Sequence, residues 1–106
     1  MHVIFAPKNT EVHLTWESAI QYCNNLTTDG YTCWRLPTIF ELGFLVHHYS
    51  DEVNPVDYWS STERWDNSPG AYFIHVLNCD LLQSCWKEQR LAVRAVRNVN
   101  CEIKED

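Results

Sequence analysis

The stretch Leu36-Pro37-Thr38-Ile39-Phe40-Glu41 constrains this chain more than any other. Proline disfavours helical dihedrals at the residue before it, so the approach through Cys33 to Leu36 is expected to be extended. Thr38 followed three residues later by Glu41 forms a capping box. The hydroxyl accepts from the Glu41 amide while the carboxylate reaches back to the Thr38 amide. Such a cap stabilises a helix start by about 1 kcal/mol. The chain is thereby committed to turn from extended to helical at Thr38. Thr38 and Glu41 are accounted for as a helix start without any catalytic role.

The neighbouring patterns extend this frame. His2 to Phe5 reads as a short first strand ended by Pro7. Trp16, Ala19, Ile20, Cys23 and Leu26 recur at helical spacing, with Thr15 as the expected N-cap. Thr28-Asp29-Gly30 then supplies residues that stop helices and turn chains. The capping box opens a second helix through Leu42, Phe44, Leu45 and Val46 towards His47-His48. Ser50 to Pro55 reads as a loop, Tyr58 to Thr62 as a strand, and Glu63 to Gly70 as a long loop. Strands follow over 71–77, 81–86 and 91–99, with turns at 78–80 and 87–89. The expected organisation is two helices followed by an antiparallel sheet.

A chain of 106 residues is expected to form one domain, 1–106, with a single modest core. Five tryptophans and only three glycines describe a packed domain rather than a disordered tail. Fourteen acidic residues against eight Lys and Arg give a net charge of −6. That balance argues against nucleic acid or an anionic membrane as partner, and leaves a protein with a basic surface as the complementary class. No secretory leader pattern and no long apolar span occur, so a cytoplasmic location and reduced thiols are the expectation for Cys23, Cys33, Cys79, Cys85 and Cys101. A bridge between Cys79 and Cys85 across a hairpin is the alternative. The odd cysteine and the aromatic-rich hairpin leave a homo-oligomer open.

Four ordered motifs then carry a resemblance. Leu14-Thr15-Trp16 with Ala19 and Tyr22-Cys23 comes first, and Trp34-Arg35-Leu36-Pro37-Thr38 with Glu41-Leu42 second. Tyr58-Trp59-Ser60-Ser61-Thr62 and Val93-Arg94-Ala95-Val96-Arg97 complete the set. In this order they resemble the Lcl C-terminal domain family, named after the end domain of a bacterial collagen-like adhesin. The resemblance implies an α+β, C-type-lectin-like fold, with two helices flanking a small twisted antiparallel sheet and neighbouring termini. Related folds include formylglycine-generating enzymes and phage receptor-binding determinants. In such folds the motif residues are architectural, and Arg35 is expected to bridge a carboxylate, Glu17 or Glu41.

The chemistry-bearing residues point to binding rather than catalysis. Asn54-Pro55-Val56 has valine where calcium needs an oxygen ligand, and Asp57, Glu63, Asp66 and Asn67 are too few for its six to eight oxygens. The histidines lack metal-ligand spacing, and no glycine-rich phosphate loop exists. No metal, cofactor or enzymatic activity is therefore expected. What remains is recognition. Glu63, Arg64, Trp65, Asp66 and Asn67 form one candidate surface, and Trp86 with Arg90 a second, both with the aromatic and arginine mix of binding hot spots. The alternative for Trp65 and Trp86 is that both fold back onto the core. The sequence thus reads as a non-catalytic binding module with a protein partner, such as a phage-encoded inhibitor or adaptor of a host protein. The other setting is a glycan or receptor recognition domain of an adhesin or virion at the cell surface.

Overall fold

A computed structural model describes residues 2–66, 69–77 and 83–101. The chain is α+β. Strands β1 (Val3–Phe5) and β2 (Val12–Leu14) precede helices α1 (Trp16–Asn25) and α2 (Ile39–His48). Strands β3 (Asp57–Glu63), β4 (Gly70–His75), β5 (Gln83–Trp86), β6 (Leu91–Val93) and β7 (Val96–Asn98) follow. One sheet has five strands in the order β2-β6-β3-β4-β5, and a second pairs β1 with β7.

The capping box forms as the sequence dictates. Glu41 N–H donates to Thr38 Oγ1 at 3.2 Å and Thr38 N–H donates to the Glu41 carboxylate at 2.9 Å. Arg35 meets that same carboxylate through both terminal nitrogens, at 2.7 and 2.8 Å, and also donates to Asn98 at 2.9 Å. Of the two candidate acids, Glu41 is the partner. The extended approach is present too, since Arg35 exchanges both main-chain hydrogen bonds with Val96 at 2.8 Å.

Several expectations are corrected. The sheet is mixed rather than antiparallel, because β3 and β6 run parallel through Tyr58 and Ala92. The segment 91–99 is not one strand: it changes sheets at Arg94-Ala95, β6 pairing with β2 and β7 with β1. Residues 92–97 are all buried, so the segment carries no alternation that could mark the break. Thr15 is the N-cap of α1 as expected, though its side chain makes no capping bond; the amide of Trp16 donates to the carbonyl of Lys87 at 3.0 Å. That helix ends at Asn25, before the Thr28–Tyr31 turn in which Asp29 and Gly30 take positive φ of 59° and 80°.

Alternate residues of the central strands divide between two cores. Trp59, Ala71 and Val93 pack with Ala19 and Cys23 of α1 and with Trp34 and Leu36. Tyr58, Tyr72, Ile74 and Ala92 pack with Ile39, Leu42 and Val46 of α2. Between Trp59 and Glu63 the β3–β4 register shifts, and Ser60, Ser61 and Thr62 occupy the bulge. Its polar groups hold both helices in place. Ser60 O accepts from the Trp16 indole at 2.9 Å, Ser61 N–H donates to Pro37 O at 2.7 Å, and Thr62 Oγ1 accepts from Ile39 N–H at 2.9 Å. The buried Ser60 hydroxyl donates to Tyr72 O at 2.7 Å, replacing a ladder bond that the bulge removes.

The thiols also depart from expectation. Cys33 and Cys101 form a disulfide with Cα atoms 6.7 Å apart, while Cys23 and Cys85 are free. The Arg35–Val96 bridge runs the two segments antiparallel and so brings positions 33 and 101 together. Nothing in the cysteine spacing announces that proximity. The Cys79–Cys85 bridge is not formed, Cys85 being free; Cys79 itself lies outside the described residues.

Candidate functional site

Strands β3, β4 and β5 are neighbours in the sheet, which places Arg64 beside Ser84 of β5. Gly70 is paired with Trp86, Ala71 with Cys85 and Tyr72 with Ser84. Trp86, Ser84 and Tyr72 therefore share one face of the sheet, with Gly70 leaving a gap beside Trp86. Arg64 fills it. A Cβ placed on Gly70 would lie 2.8 Å from Arg64 Cδ and 3.1 Å from Cys85 O, so glycine is what lets this arginine lie flat across the strand.

The arginine is held from several sides. Arg64 Nη2 and Nε donate to the Asp66 carboxylate at 2.7 and 3.2 Å, and Nη1 donates to Ser84 Oγ at 3.2 Å. Its amide donates to Gly70 O at 3.0 Å, closing the loop at its base. Pairing with Asp66 stabilises the charged guanidinium and raises its pKa further. Beside it, Trp65 tilts over Tyr72 with ring centroids 5.1 Å apart. Neither tryptophan is buried in the core: Trp65 is 64% exposed and Trp86 59%. A shallow cavity of about 200 Å³ opens among Arg64, Gly70, Ser84, Cys85 and Trp86.

Glu63 closes the other side of the strand end. It accepts from Lys87 Nζ at 2.7 Å, and that ammonium also lies 4.2 Å from the centre of the Trp16 ring. Lys87 N–H donates to Pro69 O at 3.3 Å, so one residue ties the hairpin to the start of α1. Sequence spacing gives no sign of this role for Lys87, nor of the parts taken by Tyr72 and Ser84. All three depend on the β4–β5 register. Glu63, Arg64, Trp65, Asp66 and Trp86 are thus gathered at one end of the sheet. Arg90 is exposed at the start of β6, which β3 and β4 separate from β5. Asn67 lies outside the described residues.

The other polar clusters serve the fold. Arg94, buried, donates to Ala6 O from Nε at 3.2 Å and from Nη2 at 2.8 Å, and to Glu52 O from Nη1. It lies 3.5 Å from the Glu11 carboxylate, which accepts from Tyr58 and, at 2.8 Å, from Asn54 Nδ2. Burial and the Glu11 bond push the Tyr58 hydroxyl up to about 12. Arg97 stacks 3.7 Å from the centre of the Tyr31 ring. Among the described residues no three His, Cys, Asp or Glu side chains converge as a metal site, and Asp57 pairs with His75.

The architecture and this surface define a small α+β domain that presents two indoles and a clamped arginine from one end of a mixed sheet. The chain belongs to the Lcl C-terminal domain family, whose model matches residues 6–97. The match spans every motif from the first core alanine to the buried Arg97. A comparison with curated proteins finds no match.

Proposed function

We propose that this chain is a non-catalytic binding module of C-type-lectin-like architecture, its helices flanking the sheet, and that it binds another protein through Arg64, Trp65 and Trp86. The carrying observation is the pair of exposed indoles, 64% and 59%, around an arginine already fixed by Asp66 and Ser84. A fixed arginine and rigid aromatic rings lose little conformational freedom on binding, which is why such residues dominate hot spots. The net charge of −6 favours a partner with a basic surface. The described free thiols support a non-catalytic reading: burial raises the pKa of Cys85 and pushes Cys23 up to about 12, opposite to what a thiolate nucleophile needs.

One observation favours a second reading. The Cys33–Cys101 disulfide suits an oxidising compartment, and with it a role in glycan or receptor recognition at a cell or virion surface. In that setting the Trp65 and Trp86 rings would stack on sugar faces.

A tagged pull-down from bacterial lysate, with Trp65→Ala and Trp86→Ala run in parallel, tests the first reading. The expected result is one stoichiometric protein, released by salt and lost in both variants. An empty pull-down with salt-insensitive retention on a glycan array would replace it by the second. Capture that both variants retain in full would refute the assignment of the surface.

A further inference from the structure

A second surface lies on the small sheet, away from the tryptophans. In the β1–β7 pair, Val99 N–H donates to His2 O and Ala6 N–H donates to Ala95 O, both at 2.8 Å. With Ile4 opposite Arg97, the even-numbered residues of β1 therefore turn their main-chain groups towards β7. Val3 and Phe5 turn theirs the other way, towards an edge that no strand covers among the described residues. Alongside runs a groove of about 260 Å³ lined by Val3, Ile4, Phe5, Leu45, Tyr49 and Glu52, with Ile4 and Tyr49 40% and 50% exposed.

The groove's size and charge choose among occupants. It is smaller than the roughly 300–1,000 Å³ that usually encloses a small-molecule ligand, and it is bounded along one side by a strand edge. That combination suits an extended peptide, which takes main-chain bonds from the edge and places alternate side chains in the groove. The mouth is negative. Arg94 lies 3.5 Å from Glu11 and 3.8 Å from Glu52, so one guanidinium serves two carboxylates and leaves a negative charge in excess. Exposed Asp51 precedes Glu52 in the same turn, and the C-terminal carbonyls of α2 add to the potential.

We propose that the β1 edge and the groove between β1 and the end of α2 form a strand-addition site for an extended partner peptide alternating apolar residues with lysine or arginine. The apolar side chains face Leu45 and Phe5, and the cation faces Glu52. This site is separate from the Arg64–Trp65–Trp86 surface and stands or falls independently of it.

The probe is a phage-displayed library of short random peptides selected on the full chain, with Val3→Pro as counter-selection. Val3 N–H makes no bond to β7, so proline blocks the edge without removing a ladder bond. Enriched peptides are synthesised and titrated by fluorescence anisotropy. The expected peptides carry lysine or arginine among alternating apolar residues, and bind Val3→Pro at least about tenfold more weakly. Methylating their backbone nitrogens one at a time should weaken binding with a two-residue period. Glu52→Lys should shift the selected peptides from basic to acidic, and Trp65→Ala should bind as the parent does. No enrichment over the counter-selection, or methylation effects without that period, overturns the proposal. The methylation scan decides even if Val3→Pro folds poorly, because it leaves the protein untouched.

Discussion

Glu41 offers the sharpest test of whether the Trp34 to Leu42 stretch builds the fold. Its carboxylate closes the capping box and takes both terminal nitrogens of Arg35 at 2.7 and 2.8 Å. The side chains of Arg35 and Glu41 are 34% and 18% exposed, so the pair is only partly screened and a bidentate contact here contributes about 1 kcal/mol. The cap contributes about another 1 kcal/mol, and the Thr38 amide loses its partner when the carboxylate goes. Glu41→Ala is therefore expected to destabilise by about 2–3 kcal/mol. At about 4 °C per kcal/mol for a chain of this length, Tm falls by roughly 10 °C. Glu41→Gln keeps the reciprocal cap and loses the charge, for about 1 kcal/mol. The bond from Arg35, with the Thr38 amide, holds the Glu41 carboxyl below its usual range. A depressed folded-state pKa means that its contribution is complete above the unfolded value near 4.3 and disappears as pH falls through the folded one. Urea melts of parent and Glu41→Gln between pH 7 and pH 3 should thus converge at the acid end. A gap that stays constant across that range, or a Glu41→Ala loss below about 0.5 kcal/mol, would refute the structural reading of the motif.

Three further outcomes follow from particular contacts. Gly70→Ala places a methyl 2.8 Å from Arg64 Cδ and 3.1 Å from a backbone oxygen, so it should cost about 1–2 kcal/mol in a thermal melt and weaken partner capture by displacing the arginine. Cys101→Ser removes a cross-link spanning 68 residues of sequence, for which the chain-entropy model gives about 4 kcal/mol. Parent melts with and without reductant should show a loss in the same direction, and unreduced peptide mapping should recover the 33–101 pair. Ser60→Ala leaves the Thr62 amide, now 3.1 Å from Ser60 Oγ, without its acceptor inside the bulge, and should destabilise by about 1–3 kcal/mol in urea titration.

Local chemistry was readable wherever neighbours in sequence decide it. The capping box, the extended approach before Pro37 and the apolar face of α1 each rest on residues a turn apart, and all three are present. Readings failed where distant segments decide. The parallel β3–β6 pairing, the change of sheet at Arg94-Ala95 and the 33–101 disulfide all depend on residues far apart in the chain. The same division holds at the hairpin. Arg64, Trp65 and Trp86 could be singled out by residue type, whereas Tyr72, Ser84 and Gly70 join them only through cross-strand register.

The distribution of polar anchors explains how such a domain can hold the proposed recognition surface without depending on it. Arg35, Arg94 and Arg97 tie α2, the loop after it and the chain ends to β7 and its approach, at the small sheet. Ser60 to Thr62 tie both helix starts to β3. None of these anchors uses the side chain of Arg64, Trp65 or Trp86. The cores stop at Tyr72, Ala71 and Cys85, and what lies beyond is held by its own contacts: Arg64 on Asp66 and Ser84, Lys87 on Glu63. Among the described residues, replacing either exposed indole therefore removes no core packing beyond the Trp65–Tyr72 contact, which limits the stability loss to about 1 kcal/mol. A large loss of binding beside so small a loss of stability would separate a recognition residue from a structural one, and the fold's own anchoring predicts the small stability loss.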